Sequence, residues 1–598
     1  MKKAIKTLSI FALVLALLAA SGCGPGGLTA RRSASLPAPA SASPAAADDA
    51  VPTAAPAPSA PPAHEDVAFQ DIEYAAPDMD ALSGAIESLA AALEDGGEDE
   101  AALLERYIAV LDLYNAADSA NQLAYLLYAM DVTDARYREE YARIDAALIE
   151  LDVRMTEVST ALLERSEETE ALVRERLGDG FVDAVYAGES LSGEEVSELL
   201  VADNELQMEY DELLATFSFM HNGRTWTLDE ILADDTLDYE AYYALYQRYC
   251  EALNREAGGL FVELLALRAE IAGKLGYGSY AAYRYDVYGR DYSVTEAQGF
   301  HEAVKRYIVP VFIDAYTRNY DVYELYYASF DLPRFFRSFR AANADNAYVI
   351  EAFDFMQRNG LYDFDPSEKK MESSFTTYLS AYKTPFIFTQ WENDASSAAT
   401  VIHEFGHFMN YYYNPAAGWS SGDSLDLAEV DSQGFEFLMS PHFDELYGEA
   451  YGGLARAELY LEALYAIVTG SMEDEFQQRV YADPGMTREE MNALYGSLAV
   501  EYGMDEIYGF SGLEWVLIPH SFQSPMYYIS YAVSMMAALE ISERLEAGAD
   551  EAWTAYLGIL MREPYAAFRE TLAGNGLSDP LALASVRRIA AVIDRNVP

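Results

Sequence analysis

Residues 396–412 read SSAATVIHEFGHFMNYY, a stretch that contains two of the seven histidines in a chain of 598 residues. Apolar residues recur here at helical intervals, and the dipeptide Asn393-Asp394 just upstream offers good N-cap side chains. The pattern therefore predicts a helix across the stretch. On such a helix, His403 and His407 lie one turn apart on the same face.

Two imidazoles in this arrangement can bind one metal ion, and Glu404 between them is placed to accept a proton from an attacking water. A catalytic zinc site needs a third protein ligand, so the residues downstream decide what kind of site this is. A metzincin would continue with glycine and histidine at the positions of Asn410 and Tyr413, which excludes that class. The third ligand must come from elsewhere in the chain.

The next candidate segment is 425–438, LDLAEVDSQGFEFL, whose apolar residues also have helical spacing. Glu429 and Glu436 lie two turns apart on roughly one face of this predicted helix. We select Glu429 as the candidate ligand. Because the chain is so rich in carboxylates, spacing alone leaves Asp426, Asp431 and Glu436 open as alternatives.

The pentapeptide at 403–407, followed by Glu-Val-Asp-Ser-Gln at 429–433, is similar to the thimet oligopeptidase and oligoendopeptidase F family of zinc metallopeptidases. The similarity extends from about residue 271 to about residue 532. It implies that Glu429 joins both histidines as a ligand of a single Zn²⁺ ion. It also implies that Glu436 orients one of the ligating histidines.

A further segment, 519–532, reads PHSFQSPMYYISYA and resembles the part of the family in which a histidine precedes a tyrosine-rich helix. Ser524-Pro525 has the composition of a helix start, which would place Tyr527 and Tyr531 one turn apart. A tyrosine pair at helical spacing is more often packing than catalysis. The resemblance nevertheless implies that His520 and both tyrosines are catalytic and stabilise the tetrahedral oxyanion.

Residues 384–391, TPFIFTQW, are aromatic and β-branched and form the best strand candidate in the chain. Such a strand could present an edge on which an extended peptide lies. It could equally be a short core strand.

Elsewhere the folded part of the sequence is dominated by helical patterns, so the predicted fold class is mainly α with a small β element beside the zinc-binding helix. The resemblance implies a large helical peptidase shell around a deep channel that admits short peptides. We predict an N-terminal helical region at 67–200 and a catalytic domain at 201–598.

Residues 1–22 have the basic start and short apolar run of a signal peptide. Small residues directly before Cys23 resemble a bacterial lipobox, so we expect Cys23 to carry a lipid anchor at the cell envelope, outside the cytoplasm. An ordinary secretory signal with an incidental cysteine is the alternative. Residues 23–66 are rich in Pro, Ala and Ser and are predicted to be a disordered linker.

The chain carries 39 basic and 98 acidic residues, for a formal net charge of −59. Such a field repels phosphate backbones and anionic headgroups, so a nucleic-acid partner is excluded and membrane contact is expected only through the lipid. Cys250 is the other cysteine of the chain, and we expect it to be a small buried apolar residue.

These patterns predict a metalloendopeptidase that hydrolyses short oligopeptides, with Glu404 activating the water. The alternative is a lipid-anchored protein that binds peptides or metal without turnover. Such a protein needs ligands but no base, so the intact Glu404 favours the enzyme. A third interpretation is a helical surface adhesin with an accidental motif. Under this interpretation we expect no stoichiometric zinc in the purified protein.

Overall fold

The computed structural model describes residues 66–597, apart from residues 96, 190–193, 235, 319, 372, 415–423 and 564. The predicted signal peptide, Cys23 and nearly all of the predicted linker therefore lie outside the described residues. Within the described part of the chain, none of the helices has the length and apolar character needed to cross a membrane.

The first half of the described chain is a series of helices joined by short connections. Their bounds are α1 Met79–Asp95, α2 Glu100–Met130, α3 Ala135–Leu163, α4 Glu167–Leu177, α5 Asp179–Glu189, α6 Glu194–Thr216, α7 Leu228–Ala233, α8 Tyr239–Lys274, α9 Tyr280–Val287, α10 Val294–Tyr307, α11 Val309–Arg318, α12 Leu332–Ala342 and α13 Ala347–Asn359. A small hairpin, β1 Phe219–His221 and β2 Arg224–Trp226, interrupts the series.

The second half of the chain begins with a three-stranded sheet formed by β3 Tyr362–Asp363, β4 Phe375–Leu379 and β5 Thr384–Phe388. The remaining helices are α14 Ala395–Tyr413, α15 Leu425–Met439, α16 Phe443–Tyr447, α17 Gly452–Ala482, α18 Arg488–Glu501, α19 Met504–Tyr508, α20 Pro519–Gln523, α21 Ile529–Ala547, α22 Ala549–Leu560, α23 Phe568–Gly574 and α24 Leu583–Asn596. The mainly α fold class is confirmed.

Most of the buried apolar side chains in the described part of the chain belong to two clusters. The smaller one draws only on residues between Leu82 and Val185, from α1 to α5. The larger one extends from Tyr125 to Val597 and contains the sheet and the helices around it. The domain boundary near residue 200 stays a prediction, although the smaller core ends shortly before it.

The strand predicted at 384–391 exists but is shorter, and it ends at Phe388. It pairs in parallel with β3 on one side and antiparallel with β4 on the other, so it is the central strand of its sheet. All five of its residues are buried. The idea that this strand offers a free edge to a peptide is therefore wrong, and the core-strand alternative is correct.

Both helices predicted around the metal motif are present. Asp394 caps α14 by accepting a hydrogen bond from the backbone N–H of Ser397 at 2.8 Å. The helix then buries one side against α15. Helix α15 is almost wholly buried, since it packs against α14 on one side and α21 on the other.

The predicted helix start at Ser524-Pro525 is wrong. Residues 519–523 form the short helix α20, and the chain then turns before α21 begins at Ile529. The turn contains Met526 at φ +67°, a left-handed conformation that an α-helix cannot contain. Tyr527 therefore lies in the turn and Tyr531 on the helix.

Cys250 is fully buried on α8, as the sequence predicted. Burial raises the pKa of its thiol well above the usual value. A thiol in this state is a poor nucleophile.

The backbones of α14 and α15 are in close contact at Gly406. A Cβ at this position would lie 2.5 Å from the backbone oxygen of Asp431 and 2.6 Å from the Cα of Ser432. Backbone atoms cannot rotate away as a side chain can. Glycine is therefore required where α14 crosses α15.

We expect Gly406→Ala to lower the free energy of unfolding by about 1–3 kcal/mol, the usual cost of overpacking a core. Gly259→Ala is the matched control, because Gly259 is an exposed helical glycine with nothing within 4 Å of its Cβ position. That substitution should be neutral or should stabilise by up to about 1 kcal/mol. Urea midpoints of the two variants measure the difference, and equal midpoints would contradict the close crossing.

Candidate functional site

His403, His407 and Glu429 come together where α14 crosses α15. Each offers one ligand atom, and these atoms all lie within 4.8 Å of one another. His403 Nε2 lies 3.8 Å from Glu429 Oε2, and the two imidazole ring centres are 5.0 Å apart. The three residue types are the ligands of a catalytic zinc site, which keeps a further position for water.

Two buried atoms at this point have no hydrogen-bond partner among the described residues. They are Nε2 of His407 and Oε1 of Glu404. A buried polar atom is normally paired, so an exception indicates an additional group at the site. A divalent metal ion next to His407 and a water next to Glu404 would satisfy both atoms, and the donor set fits such an ion.

The candidate ligands are held by neighbours on α15 and in the turn before α21. Glu436 Oε1 lies 2.6 Å from His403 Nδ1. The other ring nitrogen of His403, Nε2, therefore faces Glu429. Tyr527 donates its hydroxyl proton to Glu429 Oε1 at 3.0 Å. The position predicted for Glu436 is thus the one observed, next to His403, one of the two candidate ligand histidines.

Glu404 is fully buried and is oriented by the sheet. The hydroxyl of Thr376, on β4, donates to Glu404 Oε2 at 2.7 Å. Burial raises the pKa of Glu404 to about 7, against the opposing influence of His403 and of the Thr376 hydrogen bond. A carboxylate with a pKa near neutrality can both accept and release a proton during a reaction.

The protein groups alone give the two histidines opposite protonation states. Burial acts to lower the pKa of His403, but the hydrogen bond and charge of Glu436 outweigh it and raise the pKa to about 9. Burial, and then the charges of His403 and Arg562, hold the pKa of His407 well below its usual value. A metal ion at His403 must displace a proton below about pH 9, so metal binding weakens as the pH falls.

His520 lies beside the tyrosines of the following turn and helix. Its ring centre is 5.1 Å from that of Tyr527 and 6.1 Å from that of Tyr531. The tyrosine ring centres are 5.2 Å apart. Burial lowers the pKa of His520 to about 4, so its imidazole is neutral at ordinary pH.

The structure brings all the predicted site residues together. Tyr527 connects the two parts, because its ring packs against His520 and its hydroxyl donates to Glu429. Tyr531 remains partly exposed, whereas Tyr527 and His520 are buried. The hydroxyl of Tyr527 is directed to Glu429, which is a different position from the oxyanion contact predicted for it. Its catalytic role stays a prediction.

Sequence reasoning missed Thr376, which lies 28 residues before the glutamate that it contacts. It also missed the buried pair of Arg562 and Asp431, whose guanidinium and carboxylate make two hydrogen bonds of 2.9 Å. Asp431 lies in the Glu-Val-Asp-Ser-Gln motif at 429–433. A charged residue on a helix rich in apolar residues could have indicated a buried partner of opposite charge. Thr376 and Arg562 carried no such signal, because threonines and arginines are common and only the fold brings these two to the site.

Comparison with known proteins gives matches in sequence and in fold. Residues 69–185 match the Peptidase M3 N-terminal domain. Oligopeptidase PepF of Bacillus subtilis is 29% identical over 192 residues, which is 30% of this chain and 28% of that protein. The plasmid-encoded oligoendopeptidase F of Lactococcus lactis subsp. cremoris is 26% identical over 204 residues, 32% of this chain and 33% of that protein. The matched stretches thus span about a third or less of these relatives.

Solved structures match over nearly their whole length. A 3.1 Å crystal structure of a protein assigned as an oligoendopeptidase F has a TM-score of 0.76 and 22% identity, covering 88% of this chain and 98% of that one. PZ peptidase A with an inhibitor has a TM-score of 0.75 and 21% identity over the same shares. The resemblance to oligoendopeptidase F is confirmed, and the large helical fold is the fold of these structures.

Proposed function

We propose that this chain is a zinc-dependent endopeptidase that hydrolyses short oligopeptides. The observation that carries the proposal is the group of His403, His407 and Glu429 with the buried carboxylate of Glu404 beside it. The names of the matched relatives, oligopeptidase and oligoendopeptidase, support short peptides as the substrate class. The deep channel implied by the resemblance would admit such peptides and exclude folded proteins.

One Zn²⁺ ion would be held by His403, His407 and Glu429. A zinc ion in such a site supplies a Lewis acid that polarises the scissile carbonyl and lowers the pKa of water. Glu436 keeps His403 in the orientation that presents Nε2, and Tyr527 fixes the carboxylate of Glu429. These contacts restrict the ligands to one geometry before any metal ion binds.

Glu404 acts as the general base and then as the general acid. Its Oε2 atom is held by Thr376, so Oε1 is the oxygen available to accept the proton of the attacking water. With a pKa near neutrality, the protonated carboxyl can then pass this proton to the leaving amine. Thr376 contributes by preventing rotation of the carboxylate.

The oxyanion formed during the attack needs hydrogen-bond donors placed in advance. His520 is neutral and can donate one ring N–H, and its Nδ1 atom has no protein partner in the described structure. Tyr531 is partly exposed and next to His520, so its phenol is accessible to substrate. We assign these two residues as donors, with Tyr527 close behind them.

A peptide-binding or metal-capturing protein without turnover remains the rival function. Such a protein has no need for a buried carboxylate beside the ligands, and burial of Glu404 carries a free-energy cost that binding alone would not repay. Incubation with a mixed peptide library, with and without a zinc chelator, separates the two functions. Zinc binding without cleavage of any peptide would favour the rival.

We also propose that the enzyme is anchored by a lipid on Cys23 and acts outside the cytoplasm, at the bacterial cell envelope. The support is the apolar run that ends in small residues directly before this cysteine. The acidic chain itself would not adhere to anionic headgroups, so the lipid would provide the membrane contact.

We expect Glu404→Gln to retain zinc and to lose peptide cleavage by at least about 100-fold, because an amide cannot accept the proton. Initial rates with a quenched fluorescent peptide measure the cleavage, and metal analysis of the purified variant measures the bound zinc. The control is Glu392→Gln, which removes an exposed carboxylate outside the site. An active Glu404→Gln variant would refute the assignment of the base.

We expect Tyr531→Phe to lower kcat about 100-fold with little change in KM, since the lost donor would act on charge that develops only in the transition state. Tyr528→Phe is the matched control, because the Tyr528 hydroxyl is buried without a partner in the described structure, and the substitution keeps the ring that packs against His520 and Tyr531. That variant should keep its kcat within about threefold. Equal losses in the two variants would assign Tyr531 to packing.

We expect Cys23→Ser to release the protein from the membrane, because serine has no thiol to accept the lipid. Fractionation of expressing cells, followed by peptidase assays of each fraction, measures the change. Wild-type protein found in the soluble fraction would rule out the anchor.

A further inference from the structure

The buried guanidinium of Arg290 lies between the two segments that carry Glu429 and Tyr527. Arg290 follows α9, and its side chain is 1% exposed. Its guanidinium carbon is 4.4 Å from the ring centre of Tyr285 and 5.1 Å from that of Tyr288. Two aromatic faces therefore hold this cation in one place.

One side of the guanidinium contacts the turn that carries Tyr527. Arg290 Nη2 donates to the carbonyl oxygen of Met526 at 2.7 Å and to Ser530 Oγ at 3.0 Å. Met526 has φ +67°, a conformation that costs a side-chain-bearing residue of order 1 kcal/mol or more. Gln477 accepts from the N–H of Met526 at 2.7 Å, so both backbone groups of this residue are fixed from outside the turn.

The other side faces the first turn of α15. Arg290 Nε lies 3.8 Å from Asp426 Oδ1, and Asp426 precedes Glu429 by one helical turn. Both charged groups are buried, with side chains 1% exposed. Burial raises the pKa of Asp426, and the positive charge of Arg290 opposes that shift. The attraction between the two charges therefore links Arg290 to the first turn of α15.

The two segments meet in the hydrogen bond from Tyr527 to Glu429 Oε1. Tyr288, on which Arg290 packs, also contacts the ring of Tyr527 at 6.2 Å. A shift of the turn relative to α15 would change the length or the angle of this hydrogen bond. The distance therefore depends on a cation that itself contacts neither atom of the bond.

We infer that Arg290 is a positioning residue for Glu429: it fixes the turn of Tyr527 against the first turn of α15, and Tyr527 then orients the ligand carboxylate. The inference rests on the proposed function only in taking Glu429 as a zinc ligand. Residues that orient a metal ligand typically contribute about 10–100-fold to metal affinity. Since Arg290 acts through Tyr527, removal of either residue should have the same effect as removal of both.

The test is a double-mutant cycle on zinc affinity, measured by competition with a chelator and without any peptide. Arg290→Met and Tyr527→Phe should each raise the zinc Kd about tenfold. The double variant should also show about a tenfold rise, whereas independent contributions would multiply to about a hundredfold. Multiplying effects, or no effect of Arg290→Met, would overturn the inference.

Arg284→Met is the matched control. Arg284 is also buried and stacks on Tyr288 at 4.4 Å, but its described contacts include none with residues 426–436 or 526–531. Its removal should leave the zinc Kd within about threefold while lowering thermal stability. A rise equal to that of Arg290→Met would assign both arginines to general stability and refute the inference.

Arg290→Lys covers the case in which the methionine variant does not fold. Lysine keeps the charge and can reach one of the acceptors, so its zinc Kd should lie between those of wild type and Tyr527→Phe, and the cycle is then run with this variant. Wild-type protein that binds zinc but cleaves no peptide would refute the proposed function and leave this inference intact. Wild-type protein that binds no zinc would refute both.

Discussion

The site depends on the backbone contact between α14 and α15 at Gly406. This glycine lies between the two histidines of the metal motif, and its missing side chain lets the helix approach the backbone of Asp431 and Ser432. The ligands are short side chains whose reach is a few ångströms, so helices at the usual separation of about 8–10 Å could bring them together only with difficulty. The glycine removes this limitation at the point where both helices supply candidate ligands.

Charge is the second constraint, and it favours a cation at the candidate site. Glu404 and Glu429 are fully buried and Glu436 is partly buried, and the positive charge of His403 acts against the rise in the pKa of Glu404. Buried carboxylates without enough positive charge are costly. The pKa of Glu404 is raised accordingly. A divalent ion between the ligands would stabilise the ionised carboxylates, so metal binding and the stability of this part of the fold are thermodynamically linked.

Sequence predicted the parts of the site that local spacing determines. The helices of 396–412 and 425–438 were found because helical periodicity and N-cap residues are short-range signals, and the resemblance then selected Glu429. The prediction of a helix start at Ser524-Pro525 was wrong because it used the same short-range signals. Arg290 and Gln477, which are distant in sequence, stabilise a turn there instead. Arg290 is 236 residues away from that turn in sequence, and no local pattern reports such a contact.

The strand β4 connects the N-terminal helices to Glu404, the proposed catalytic base. Successive residues of a strand face opposite sides, so Thr376 points to Glu404 while Thr377 points away from it. Thr377 donates to Gln122 on α2 at 3.2 Å, and Ser380, directly after the strand, donates to the carbonyl oxygen of Asn115 on the same helix at 3.1 Å. Helix α2 also contributes to the smaller core of the N-terminal region, which matches the Peptidase M3 N-terminal domain. The N-terminal helices thus support the strand that orients Glu404, and the base belongs structurally to both parts of the chain.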